Sequence, residues 1–341
     1  MTWFDESRLD DEIALGSTDL RLRTLAESGA RVRREAGAAI DAIAEAVGRA
    51  TDARPRAVIA AGPDSRLLRA VLEPWCPVPF VAWPSAGLPG WAGSLDLVVV
   101  LAPDGSDPGT ASAVAEAARR GCQVVVACPA ESMVAEHAAG RWTTILPTST
   151  SDQLATAVVM LSFLHQVALG PSSDPAAVAE ALDGVAIACS PQRDISINPA
   201  KMLAISLADA APLVWGGSVL AARAARRVAE SIRRTSGRTA LAGDAEHLLP
   251  VIEAARPRNV FADPYADGSG ERRPVLIVLD DNSDDDVGRE QRGRLEEAAR
   301  TRDVRVEAVT TEADGEVARY ASLLLNGTYA AEYLRLGLVE D

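Results

Sequence analysis

Seven residues, Leu95-Asp-Leu-Val-Val-Val-Leu101, restrict the fold more than any other part of this 341-residue chain. The run is apolar and lacks the every-second-residue alternation of a half-buried strand, so it predicts a strand covered on both faces. Such a strand needs parallel neighbours and helices above and below, and the flanking sequence supplies both. Ala57–Ala61, Val78–Ala82, Gln123–Ala127 and Thr143–Leu146 read as further strands, with helical patterns between them and a long apolar helix over Asp152–Leu169. The second half repeats the alternation, with strands predicted at Pro212–Trp215, Thr239–Ala242, Asn259–Ala262, Pro274–Leu279 and Val304–Val309. Strands and helices spaced this way call for parallel sheets joined by right-handed crossovers. Helical periodicity through Leu22, Leu25, Val32, Ile40, Ile43 and Val47 precedes them. The expected division is a helical arm over 1–50, a first domain over 51–172 and a second over 173–341, with Pro171–Pro175 opening the connection.

Composition narrows the partners. A net charge of -14 argues against non-specific nucleic-acid binding and against adhesion to an anionic membrane, since both need a positive surface. The acidic start, MTWFDESRLDDEIAL, has neither the basic nor the apolar region of a secretory leader, and no window is apolar enough to span a bilayer. Cys76, Cys122, Cys128 and Cys189 show no metal-ligand spacing and read as reduced core thiols of a cytoplasmic protein. The acidic run Asp280–Asp286 lacks the glycine and terminal glutamate of a calcium loop, and reads as a solvated loop whose Asp caps the next helix. Lys201 is the one lysine in the chain. Either coding bias left it on a helix surface, or its position needs a compact ammonium that a planar guanidinium does not replace.

Residues Ile197–Ile232 carry the most specific pattern. Asn198-Pro199 opens a helix, because Asn accepts from free first-turn N–H groups and Pro suits the first helical position. A short buried strand follows, then Gly216-Gly217-Ser218 turns into a helix with Leu220 and Val228 inward and Arg223, Arg226, Arg227, Arg233 and Arg234 outward. Backbone N–H groups at that turn converge where an anion can sit. Asn-Pro-Ala-Lys-x-Leu-Ala, a strand ending in glycine and an Ala/Arg helix resemble the second half of the bifunctional phosphoglucose/phosphomannose isomerases, which are tandem sugar-isomerase (SIS) domain proteins. Glu316–Leu338 resembles that family's closing helices. The resemblance implies an α/β fold of two tandem SIS domains, each a three-layer αβα sandwich around a parallel, roughly five-stranded sheet. It further implies a homodimer, no cofactor and a carbohydrate derivative, a sugar phosphate, bound between the two domains.

The implied chemistry is aldose–ketose isomerisation of a glucose, mannose or fructose 6-phosphate. It requires a phosphate cradle, a ring-opening group and a carboxylate that shuttles a proton. Expected ligand-binding residues are Gly62, Ser65, Gly105, Ser106, Thr110, Gly216, Gly217 and Ser218, with Lys201 and Arg66 as further candidates. The expected catalytic pair is His247 and Glu246; His137 and His165 read as structural. Departures from the family pattern are marked. Asp104 and Asp107 stand in the phosphate loop, where one carboxylate about 5 Å from a phosphate charge costs roughly 3 kcal/mol at an effective dielectric near 20. The family's proton-shuttling Glu falls at Arg233-Arg234-Thr235-Ser236. Its last catalytic lysine lies on a helix beyond the segment matched here. Two expectations follow beside an active isomerase: a degenerate member that senses a sugar phosphate or regulates an enzyme of mannose metabolism, and a structural interaction protein with no ligand.

Overall fold

The computed structural model describes residues 2–49, 54–256, 272–283 and 285–340. The chain divides into two compact units, Ser28–Glu180 and Met1–Glu27 with Ala181–Asp341. It opens with β1 (Thr2–Phe4), α1 (Glu12–Gly16), α2 (Asp19–Ala26), α3 (Ser28–Ala38) and α4 (Ile40–Arg49). The arm expected over 1–50 is therefore shared. Its first part belongs with the C-terminal unit, while α3 and α4 belong with the other.

The Ser28–Glu180 unit continues through β2 (Val58–Ala61), α5 (Ser65–Leu72), β3 (Phe80–Trp83), β4 (Leu97–Leu101), α6 (Pro108–Arg119), β5 (Gln123–Cys128), α7 (Met133–His137), β6 (Thr143–Pro147) and α8 (Gln153–Gln166). The five strands pair in parallel in the order β3-β2-β4-β5-β6. Every residue of β2 and β4 is buried, as the unalternating apolar runs require. One side chain anchors the arm to this unit. Glu35 on α3, fully buried, accepts from the backbone N–H groups of Ser149 and Thr150 and from the Ser149 hydroxyl. Beside it, Arg31 pairs at 2.7 Å with Asp152, the N-cap of α8.

The C-terminal unit holds α9 (Pro175–Ala188, which straddles the division), α10 (Pro199–Leu207), β7 (Ala210–Gly216), α11 (Val219–Ser236), β8 (Leu241–Ala242), α12 (Ala245–Glu253), β9 (Arg273–Asp280), α13 (Asp286–Thr301), β10 (Arg305–Thr310), α14 (Glu316–Gly337) and β11 (Leu338–Glu340). Its parallel sheet has the order β10-β9-β7-β8, four strands among the described residues, and the strand expected at 259–262 lies outside them. Asn198 caps α10 through the N–H groups of Ala200 and Lys201, with Pro199 at the first helical position, as the sequence predicts. Asp285 caps α13 in the same way. The first residues of the chain are tied to this unit: β1 pairs antiparallel with β11, Arg335 donates to the Thr18 hydroxyl at 2.5 Å, and Arg8 donates to the Leu336 carbonyl at 2.9 Å.

The four cysteines are unpaired; Cys122, Cys128 and Cys189 are buried and Cys76 is half-buried. Burial pushes the Cys189 thiol up to about 12. Among the described residues no helix is long and apolar enough to cross a membrane.

Candidate functional site

Ligands of parallel sheets with helices on both faces sit at the carboxyl ends of the strands. In the Ser28–Glu180 unit, β2 ends in Gly62, whose φ of 89° is natural only to glycine, and a Cβ there would lie 2.9 Å from the Thr110 hydroxyl. Ser65 opens α5 fully buried, and its hydroxyl has no partner among the described residues; Arg66 beside it is exposed. After β4, Gly105 is buried at φ 64°, its Cα so near Ser132 that a Cβ would come within 2.4 Å of that side chain, while Ser106 is exposed. Asp107 decides the character of this edge. It is the N-cap of α6, and its carboxylate accepts from the Thr110 N–H at 2.7 Å and the Thr110 hydroxyl at 2.6 Å. Those hydrogen bonds, the hydroxyl's first, hold the Asp107 carboxyl below the usual range. Thr110, expected as a ligand donor, is buried with both donors engaged; the seat for an anion at the start of α6 is taken by the chain's own carboxylate.

The corresponding edge of the C-terminal unit is built by close packing. A Cβ on Gly216 would lie 2.3 Å from the Ala221 carbonyl carbon, so only glycine lets β7 run this close to α11. Gly217 is less confined: a Cβ there would lie 3.0 Å from the Trp215 ring and 3.5 Å from the Cα of Gly288 on α13. Ser218 caps α11, accepting from the Ala221 N–H at 3.0 Å and donating to Asp281. Asp280 beside it pairs with Arg292 at 2.5 Å. The crevice between Trp215, Gly217, Asp281 and Gly288 holds about 50 Å³. Small-molecule pockets begin near roughly 300 Å³, so as it stands this crevice admits water rather than a sugar.

The expected catalytic pair lies on the first turn of α12. Glu246 and His247 are both exposed, and Glu246 pairs at 2.8 Å with Arg294 of α13 rather than with His247. Glu230, one turn before the arginine run of α11, is held between Arg227 and Arg234. Lys201 is neither a surface lysine nor a ligand group. It is fully buried, and its ammonium donates to Asp10 at 2.6 Å and to the carbonyls of Pro191 and Arg193 at 2.9 and 2.8 Å, with the Tyr333 ring 5.6 Å away. Three donors on three acceptors leave none for a ligand; the compact ammonium fastens the N-terminal segment instead. Arg223, expected outward, is half-buried against Tyr320, and burial pushes its pKa down. Its Nε has no partner among the described residues.

Residues 196–337 match the model of the bacterial phospho-glucose isomerase C-terminal SIS domain. Those residues form an SIS domain. Solved structures share the fold over most of the chain. Tagatose-6-phosphate ketose/aldose isomerase from Escherichia coli superposes with a TM-score of 0.68 at 13% identity, covering 92% of this chain and 93% of that one. The C-terminal domain of glucosamine-fructose-6-phosphate aminotransferase from Francisella tularensis gives 0.63 at 11%, covering 92% and 95%. A glucose-6-phosphate isomerase like protein from Thermus thermophilus gives 0.52 at 16%, covering 89% and 91%. A comparison with curated proteins found no match. Among the residues that depart from the resembled pattern, Asp107 is engaged on Thr110, Arg233 on the Ala240 carbonyl and Arg234 on Glu230, while Asp104 is exposed. Capping by Asp107 was written in its sequence, since Asp107-Pro108-Gly109-Thr110 is a cap followed by proline at the first helical position.

Proposed function

We propose that this protein belongs to hexose 6-phosphate metabolism as a degenerate relative of the phosphosugar isomerases, one that binds a carbohydrate derivative without isomerising it and serves as a sensor or as a regulatory partner of a sugar-phosphate enzyme. The observation that carries the reading is the Asp107 carboxylate on both donors of Thr110. A sugar phosphate must displace that carboxylate to reach the start of α6. The exchange is feasible for a dianion with three acceptor oxygens, but it cancels much of what the helix terminus offers. Loss of turnover follows separately: Arg233-Arg234-Thr235-Ser236 stands where the resembled enzymes keep their proton-shuttling Glu, the run holds no carboxylate, and an arginine stays protonated at neutral pH.

The competing reading is an active isomerase using His247 and Glu246. The salt bridge of Glu246 to Arg294 disfavours it, because that carboxylate is turned to a neighbouring helix instead of working beside His247. Interconversion of fructose 6-phosphate with glucose 6-phosphate or mannose 6-phosphate, followed by coupled assay, distinguishes the two. No turnover is expected, and turnover abolished by His247→Ala would overturn the proposal. Ligand binding is checked by thermal shift against the same sugar phosphates. A ligand at a hundred times its Kd adds about 2.7 kcal/mol of stability, and Asp107→Asn is expected to tighten binding of the phosphorylated sugars only.

A further inference from the structure

The opposite end of the first sheet carries a surface that sugar binding does not use. At the amino-terminal ends of its strands lie Trp75, Trp91, Leu95 and Trp142, exposed by 56, 48, 68 and 54%. Backbone hydrogen bonds fix their order along the sheet: Val58 N–H to the Pro79 carbonyl, Arg56 N–H to Leu95, Gln123 N–H to Asp96, and Val124 N–H to Trp142. From the start of β3 to the start of β6 is four strand spacings, about 19 Å.

The part of this strip that carries Trp91 is held from beneath. Asp96, whose side chain is fully buried, takes the Arg56 guanidinium and the Gly93 N–H, and Arg56 donates onward to the Trp91 carbonyl at 2.9 Å. Arg120 donates to the Pro89 carbonyl at 2.7 Å and to Glu116, which also accepts from the Leu88 N–H. Of the three indoles, that of Trp91 is thus presented on a loop that has little freedom to fold it away. Two are dressed with cations: the Arg56 guanidinium lies 5.6 Å from the Trp91 ring centre, and Arg141 lies 4.8 Å from that of Trp142. Among the cations here, Arg56 and Arg120 are neutralised by Asp96 and Glu116. Arg141 has no hydrogen-bonded or ion-pair partner among the described residues, and Arg119 stands 3.8 Å from an already bridged Glu116. The strip is therefore positive within a chain of net charge -14.

We infer that this strip docks an acidic, apolar-studded segment of a partner protein. Exposed tryptophan and arginine are the residue types that dominate binding energy at protein interfaces. Charge complementarity selects an acidic occupant over a second copy presenting the same strip, which would set arginine against arginine. A nucleic acid is disfavoured by the negative field of the whole chain. An extended segment of about six residues spans the strip.

The test uses the full chain and a six-residue peptide alternating glutamate and leucine, with a lysine-for-glutamate peptide as counterpart, read by calorimetry and tryptophan fluorescence. The acidic peptide is expected to bind saturably and more weakly at high salt, and the lysine peptide not to bind. Trp142→Ala and Arg141→Glu are expected to weaken binding by roughly tenfold each at unchanged Tm, both side chains being exposed. Equal binding of the two peptides, full affinity in both variants, tighter binding of an oligothymidylate, or self-association abolished by Trp142→Ala would each overturn the inference.

Discussion

Two helix starts at the carboxyl ends of the strands, one in each unit, are closed differently. At α6 the cap is a carboxylate, Asp107, seated directly on the first-turn donors. At α11 the cap is the neutral Ser218 hydroxyl, and the nearest carboxylate, Asp281, stands behind it as the acceptor of that hydroxyl's proton. Both helix starts are satisfied, but by different means. An anion arriving at α6 must evict a charge, whereas one arriving at α11 competes with a hydroxyl that can rotate. The glycines that end the first strand of each sheet, Gly62 after β2 and Gly216 at the end of β7, differ as well. Gly62 is needed for its left-handed backbone, Gly216 for the closeness of β7 to α11. The two units both carry a parallel sheet with helices, and they close these helix starts with different atoms.

The largest expected effect separates those two glycines. Gly216→Ala drives a methyl into the Ala221 backbone, which can yield only if α11 moves, so a loss of about 3 kcal/mol or more is expected. Gly62→Ala meets a side-chain oxygen and a left-handed φ instead, and about 2 kcal/mol is expected. Urea denaturation of both variants checks the order; a larger loss at Gly62 would show that backbone conformation, not the closeness of strand to helix, governs these turns.

Next in size is the charged cap. Asp107→Ala is expected to cost about 1 kcal/mol at pH 7, the usual worth of an N-cap. The sign of its pH dependence follows from the lowered carboxyl pKa. A group whose folded pKa lies below its unfolded value of about 3.9 contributes its full stability above that value and loses it as pH falls through the folded pKa. Wild type and Asp107→Ala should therefore converge in acid, below about pH 4. A gap in urea midpoint that persists undiminished at about pH 3 would show that the carboxylate charge is not what closes α6.

Much of the fold is legible in the sequence because it rests on local rules. The unalternating run at Leu97–Leu101, the Asn198-Pro199 opening and the Asp285 cap all form as their residues dictate. The site is less legible because it depends on partners distant in sequence. Lys201 sits on a helix with apolar neighbours, and only Asp10, 191 residues away, reveals why an ammonium is buried there. Arg223 turns inward because Tyr320 of α14 offers a partner that the periodicity of α11 cannot show. Thr110 is the instructive miss. Its hydroxyl reads as a donor to a ligand, although the cap signature three residues earlier already claims it.

The smallest effect is the one that most tests the contrast between the two helix starts. Ser218→Ala removes a neutral cap and should cost about 0.5–1 kcal/mol, less than the charged cap at α6. The hydroxyl does not titrate, so this penalty should stay level as the pH is lowered, while that of Asp107→Ala fades. Parallel urea titrations of the two variants at about pH 7 and about pH 3 make the comparison. If the Ser218→Ala penalty also fades in acid, the Asp281 carboxylate is carrying the α11 terminus through the hydroxyl. The two domains would then have closed their anion seats by the same charge, once directly and once at one remove.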